Sequence, residues 1–314
     1  VKNLINISVI IPAYNRDKTI RYCIDSVLGQ SVPPSEVIVV DDCSTDGTAE
    51  IVRRYSDSRV RCVVLDRNSG AQVARNRGIK EAQCEWIAFQ DSDDEWLPGK
   101  LEKQIATLAE VNFDPMTVVH GNGLLNNHQN GRISSWNLPY VHGTMQFNKL
   151  LESVGPAFPA ILTSKKALEA IGFLDEAVPS FQEWDTSILL ARVCRFIHIQ
   201  HPIIIYHLHG GDTISKDRKR ELDGYSYIVN KYWDDILHRC GVKVLNRHLG
   251  VIAVMAMRNG DFQKAETILA KAIGKSFALS FLKWRAQARS YPSTYVRLDN
   301  LLQSVKLGCR KICT

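Results

Sequence analysis

The sequence predicts an α/β fold: a mostly parallel sheet flanked by helices, with a C-terminal helical appendage. Three observations predict it. Short apolar runs, several rich in β-branched residues, alternate with segments of helical spacing from residue 7 to residue 111, as βαβ units do. The runs are apolar at nearly every position, as strands covered on both faces are. Beyond about residue 216 the spacing turns helical.

Taken in order, ISVIIP at 7–12 reads as a short buried strand. Residues 18–30 then carry Ile20, Cys23, Ile24, Val27 and Leu28 at helical spacing. Val37 to Val40 forms a second strand ending at Asp41-Asp42, and the turn Thr45-Asp46-Gly47 leads into a helix through Ile51, Val52 and Tyr55. A third strand covers 60–65, a helix 70–82 with Gly78 as its weak point, a fourth strand 85–89 and a helix 101–111. Regularity fades after residue 115, where 117–119 and 203–206 read as strands and 184–193 as a helix. Residues 251–273 read as two short helices around Asn259-Gly260-Asp261, similar to one tetratricopeptide-type hairpin.

Composition is ordinary for a globular chain, with 45% hydrophobic and 23% charged residues. No run reaches the roughly 18 apolar residues of a membrane-spanning helix, and the N-terminal segment lacks a signal-peptide layout. The eight cysteines show no metal-like spacing and read as reduced, buried thiols in a cytosolic protein. The whole chain carries +6, but residues 216–314 hold 19 Lys and Arg against 8 Asp and Glu, so residues 1–215 carry −5. The basic segment reads as a solvated face, or as an attraction for an anionic membrane or acceptor.

Polar residues gather at three strand ends: Tyr14-Asn15-Arg16, Asp41-Asp42, and Asp91, Ser92, Asp93 and Asp94. In parallel sheets ligands bind there. Helix capping accounts for one aspartate of the last group, not three. A hard divalent cation, Mn²⁺ or Mg²⁺, takes carboxylate oxygens and completes its shell with phosphate and water, so a metal-bound nucleoside diphosphate fits. Asp42 is then placed to accept a base N–H and Tyr14 to stack on the base. Without those ligands the loop is expected to be mobile. Gly274-Lys275-Ser276 lacks the first glycine of a phosphate loop, because position 269 is Leu.

The stretches SVIIPAYNR, SVLGQS, EVIVVDDCSTDGT, GAQVARNRGI and EWIAFQDSDDEWLPGKL, in that order, resemble the inverting glycosyltransferase family 2, with its nucleotide-diphospho-sugar-binding GT-A fold, a Rossmann-like mixed sheet. The match is close over 7–105 and looser through GFLDEAVPSFQEWD and YHLHGGDTIS. The resemblance implies a catalytic domain at 1–215, with a nucleotide-sugar half at 1–112 and an acceptor half at 113–215, followed by a helical, basic region at 216–314. It gives donor contacts to Pro12, Tyr14, Asn15, Asp42, Arg75, Asn76, Asp91 and Ser92. It makes Asp93 the metal ligand, joined by His209, and leaves Asp94 to cap the helix. It makes Glu183 the base that deprotonates the acceptor, with Asp185 as the alternative; Gln182-Glu183 stands where a pair ending in Asp is usual. Trp184 is expected at the acceptor and Trp96 beneath the metal loop.

The implied reaction is transfer of a sugar from a nucleotide sugar, UDP-linked by family habit with GDP and dTDP open, to a glycan or lipid-linked saccharide in surface-polysaccharide synthesis. No nucleic-acid partner is expected. Membrane contact, if made, is peripheral and at the cytoplasmic face, through the basic C-terminal region. The competing readings are a non-catalytic sugar-nucleotide-binding subunit and, ranked lower, a sugar-nucleotide pyrophosphorylase. The latter needs a Gly-rich loop where this chain has PAYNRDKT.

Overall fold

The structure is a computed structural model and describes residues 5–208 and 217–272. The chain divides into two compact units, Val1–Lys216 and Asp217–Thr314.

The first unit is built on a nine-stranded sheet. Its first half follows the predicted alternation: β1 (Ile7–Ala13), α1 (Ile20–Leu28), β2 (Glu36–Asp41), α2 (Thr48–Arg53), β3 (Val60–Val64), α3 (Ala71–Glu81) and β4 (Trp86–Phe89). These four strands run parallel in the order β3-β2-β1-β4. Every residue of β1 and β4 is buried, as their unbroken apolar runs require. Gly78, the weak point of α3, lets that helix sit down on the sheet. A Cβ there would lie 2.5 Å from Ile10 Cγ2 and 3.3 Å from Val40 Cγ2.

The second half is less regular. It comprises β5 (Glu95–Trp96), α4 (Lys100–Ala109), β6 (Thr117–Asn127), β7 (Arg132–Trp136), α5 (Phe147–Glu152), β8 (Leu162–Ser164), α6 (Lys165–Ala170), α7 (Gln182–Leu190) and β9 (Arg195–Leu208). Strand β8 lies antiparallel between β4 and β6, β9 runs parallel to β6, and β5 pairs antiparallel with β9. Strands β6 and β9 run far beyond the segments expected at 117–119 and 203–206. The first five residues of β6 are buried, whereas the start of β9 alternates between buried and more open positions and the hairpin of β6 with β7 stands partly exposed.

The second unit is helical over its described residues: α8 (Arg218–Lys231), α9 (Trp233–Asp235) running into a wide turn at Ile236–Cys240, α10 (Val242–Arg258) and α11 (Phe262–Ala270). Asp217 and Asp261 cap α8 and α11 by accepting the Arg220 and Lys264 N–H. The expected hairpin at 251–273 has its turn where predicted, but its first helix starts at Val242, nine residues earlier. The six cysteines among the described residues are free, and no described helix is long and apolar enough to cross a membrane.

Candidate active site

The aspartate loop follows β4 and is held from beneath. Thr19 Oγ1 donates to the Ser92 carbonyl (2.9 Å), the Tyr22 hydroxyl to the Asp93 carbonyl (3.0 Å), and Gln90 Nε2 to the Asp94 carbonyl (2.6 Å). Cys23 Sγ sits 3.4 Å from the Asp91 carbonyl. All four carbonyls from Asp91 to Asp94 are therefore engaged, three of them by side chains of α1 or its N-cap.

Its acids have different surroundings. Asp91 accepts from Arg75 (2.7 Å), and Asp93 lies 3.4 Å from the Arg16 guanidinium. Asp94 does not cap a helix: α4 begins at Lys100 with Gly99 as its N-cap and no side-chain bond. Asp94 is buried, and its Oδ1 accepts the His207 backbone N–H (2.9 Å), so it ties the loop to β9. Burial, with Asp93 and Asp91 close by, pushes its carboxyl well above the usual range. The His207 ring continues the tie, with Nε2 2.8 Å from Glu95 Oε1 and Nδ1 2.8 Å from His128 Nε2.

At the ends of β1 and β2 the loops are laced together. Ser44 Oγ accepts the Asn15 N–H (2.9 Å), and Asn15 Oδ1 accepts the Thr45 N–H (2.8 Å). Both Asp42 oxygens accept backbone N–H groups, from Ser69 (2.7 Å) and Gly70 (2.8 Å), at the entry to α3. Each oxygen keeps a second lone pair for a ligand. Tyr14 is 41% exposed, with its ring open to a planar partner. Pro12 lies inside β1, paired with Val40 and buried, rather than in the turn after it.

Arg75 joins the two halves. Its guanidinium lies 4.1 Å from the centre of the Phe158 ring and donates to Asp91, to Gln72 (3.1 Å) and to Gln182 (2.9 Å), the first residue of α7. The next residue, Glu183, thereby stands near the aspartate loop. Burial pushes its carboxyl up and the Asp91 charge adds to this, while Arg75 opposes it. Phe181, which precedes α7, holds the left-handed conformation (φ +57°) that non-glycine residues rarely adopt, and such strain is often found at functional sites.

Two expected contacts are corrected. Asn76 does not face the donor: its amide donates to the Leu174 carbonyl and Glu176 Oε1 (both 2.8 Å) and accepts the Leu174 N–H (3.0 Å). One helical step from Arg75 turns it about 100° away. Trp184 offers no face to an acceptor, because it is 0% exposed and its indole N–H donates to the Leu150 carbonyl (2.6 Å). Asp185 is also fully buried. Trp96 is buried in the core shared with residues of α1 and α4, with the buried Lys100 Nζ 3.7 Å from its ring centre. His209 lies outside the described residues. Arg16 and Gln182, named in the sequence only as part of their motifs, join the site, as do Gln72 and Phe158, which the sequence pattern had not marked for it. For Gln72 the clue was its type, a polar residue near the start of a predicted helix; nothing in the sequence pattern pointed to Phe158.

Among the described residues no cluster of three or more His, Cys, Asp or Glu has metal-holding geometry. The donor set still fits a hard cation that takes one or two protein carboxylates and finds its other oxygens on a diphosphate. Asp93 and Asp91 are partly exposed at the mouth of the loop.

The sheet order, with an acidic loop at the carboxyl end of its fourth strand, is that of a GT-A fold. The chain belongs to glycosyl transferase family 2, whose profile matches residues 8–172, just over half of it. It is 50% identical over 106 residues to the putative teichuronic acid biosynthesis glycosyltransferase TuaG of Bacillus subtilis, covering 33% of this chain and 42% of that one. Over 168 residues it is 35% identical to the Escherichia coli UDP-Glc:alpha-D-GlcNAc-diphosphoundecaprenol beta-1,3-glucosyltransferase WfgD, covering 53% and 63%. The matches thus span about half the length of these curated relatives. Residues 1–349 of S. aureus TarS, solved with UDP-GlcNAc, share the fold with a TM-score of 0.57 at 18% identity, over 84% of this chain and 90% of that one.

Proposed function

We propose that this chain is an inverting glycosyltransferase that moves a sugar from a UDP-sugar to a lipid-linked saccharide in surface-polysaccharide synthesis. The observation that carries this is the Arg75 bridge, in which one buried guanidinium links Asp91 to the residue before Glu183. WfgD, whose name specifies a UDP-Glc donor and a diphosphoundecaprenol-linked acceptor, supports the choice of substrates.

In this reading Tyr14 stacks on the uracil, while Asp42 and Asn15 frame the base pocket and Asp91 and Arg75 face the ribose and diphosphate. Glu183, made more basic by burial and by Asp91, takes the acceptor hydroxyl proton. The oxygen attacks the anomeric carbon as its bond to the diphosphate breaks. The proton ends on Glu183, UDP leaves with the bonding electrons, and the anomeric configuration inverts. Asp185 is the weaker candidate because it is sealed inside the helix packing. A divalent cation, Mn²⁺ or Mg²⁺, held by Asp93 with His209 would neutralise the leaving diphosphate. Membrane contact is peripheral, through the basic segment after residue 216.

Transfer to water gives a test that needs no acceptor. Proton NMR of UDP-glucose, UDP-galactose and UDP-GlcNAc incubated with the protein and Mn²⁺ is expected to show one of them releasing the inverted, β-configured sugar first. Release of the α-anomer first, or release unaffected by Glu183→Gln, would contradict the reading.

A further inference from the structure

The acceptor half carries a polar cluster that none of these steps uses. His120 on β6 and His198 on β9 are paired in register, with ring centres 4.7 Å apart. The Nδ1 atoms of both are buried without a hydrogen-bond partner. In front of them the Tyr140 ring is 47% exposed. It stacks on His142 (5.7 Å, 10° between planes) and meets His198 edge-on at 5.2 Å. The Lys149 ammonium of α5 lies 5.3 Å from the Tyr140 ring centre.

Strand register fixes where this cluster sits. Leu162 of β8 pairs with both Ala88 and Val119. His120, one residue on, is therefore level with Phe89, the last residue of β4, just before the aspartate loop. Ala88, Leu162 and Val119 share one core with residues of α1 and α4. Side chains alternate along a strand, so Phe89 and His120 project from the opposite face. On that face Phe89 meets Phe158 (5.2 Å), the ring beneath Arg75. The cluster and the Arg75–Asp91 pair thus share both a height and a face of the sheet. Lys149 is also tied to the base helix, since the carbonyl of the next residue, Leu150, holds the indole of Trp184 beside Glu183.

We propose that Tyr140, His142 and Lys149 form the subsite that takes the phosphate-linked end of the saccharide acceptor, an inference that rests on the transferase reading above. Lys149 forms no ion pair among the described residues and is held at an exposed aromatic ring. An ammonium so placed is a point charge for a phosphate, and the ring beside it offers apolar surface to a sugar. The unpartnered nitrogens of His120 and His198 leave hydrogen-bonding capacity behind Tyr140 for a hydroxyl or a water.

The test is calorimetry on the full chain with UDP and Mn²⁺ saturating the donor site. The probes are GlcNAc-diphosphate carrying an undecyl chain, the neutral undecyl glycoside of GlcNAc, and undecyl phosphate. The diphosphate probe is expected to bind at least about tenfold more tightly than the neutral one. Lys149→Met should remove that advantage and leave the neutral probe unchanged, while Tyr140→Ala should weaken both saccharide probes. The subsite is overturned if both variants bind the diphosphate probe like the wild type, or if the wild type does not prefer it to the neutral one. Undecyl phosphate binding as tightly as the saccharide probe would overturn the acceptor assignment in favour of a lipid-phosphate contact. UDP binding, measured first in each protein, separates the two readings: its absence in the wild type counts against the transferase site, whereas its retention in the variants confines any loss to this subsite.

Discussion

At the scale of residues, the account turns on Glu183. Replacing it with Gln keeps the shape and removes the base, so transfer is expected to fall by about a hundredfold to ten-thousandfold while UDP binding persists, as paired activity and calorimetry measurements would show. Its carboxyl is raised by burial and by Asp91 and lowered by Arg75. The acid limb of kcat/KM should therefore lie above the ordinary carboxylate range, and Arg75→Gln should move it to higher pH. A limb that moved to lower pH in that variant would show that Arg75 does not act on the base. The aspartates were legible in the sequence because charge at a strand end stands out from apolar surroundings, whereas Arg75 and Glu183 were singled out only through the resemblance to family motifs. The misassigned neighbours failed for one geometric reason: adjacency in sequence is not adjacency in a site. Asn76 turns away from Arg75 along α3, and Trp184 turns inward from Glu183 along α7. Asp94 goes into the sheet to meet β9 instead of forward to α4.

At the scale of elements, the βαβ half was readable because its strands are short, fully buried and separated by amphipathic helices. Gly78 is where that packing is tightest. Gly78→Ala is expected to destabilise the fold by about 1–3 kcal/mol through overpacking against Ile10, seen as a lower urea midpoint with an unchanged slope. Helix propensity alone predicts the opposite sign, because Ala favours helix over Gly by about 1 kcal/mol. The second half was harder to read because its signals lie below the length of any period. Strand β5 has two residues and β8 three. Strand β7 is mostly exposed and the outer part of β6 half-buried, and both mix apolar with polar residues without a regular alternation, so no apolar period marked them.

At the scale of the whole molecule, acid should weaken the second half of the sheet. Burial, with His198 and His142 nearby, holds His120 down at about 3, and burial holds His198 at about 4. The unfolded chain takes up those protons near pH 6.5, while the folded one does not until pH 3 to 4. The stability due to His120 is therefore complete above about pH 6.5 and is lost as pH falls toward 3, at about 1.4 kcal/mol per pH unit. Urea midpoints between pH 7 and 4.5 should fall less steeply in His120→Asn than in the wild type, and equal slopes would contradict this. The division into two units also predicts that a chain ending near residue 216 keeps the proposed UDP site, because every described residue of that proposed site lies before it.

The most direct test of the central claim, that the loops at the carboxyl ends of β1, β2 and β4 bind a metal-linked nucleoside diphosphate, is calorimetric titration of UDP into wild type and Asp93→Ala, with and without Mn²⁺. The account predicts that Mn²⁺ tightens UDP binding at least about tenfold in the wild type and not in the variant. No UDP binding by the wild type, or an equal gain from Mn²⁺ in both proteins, would contradict it.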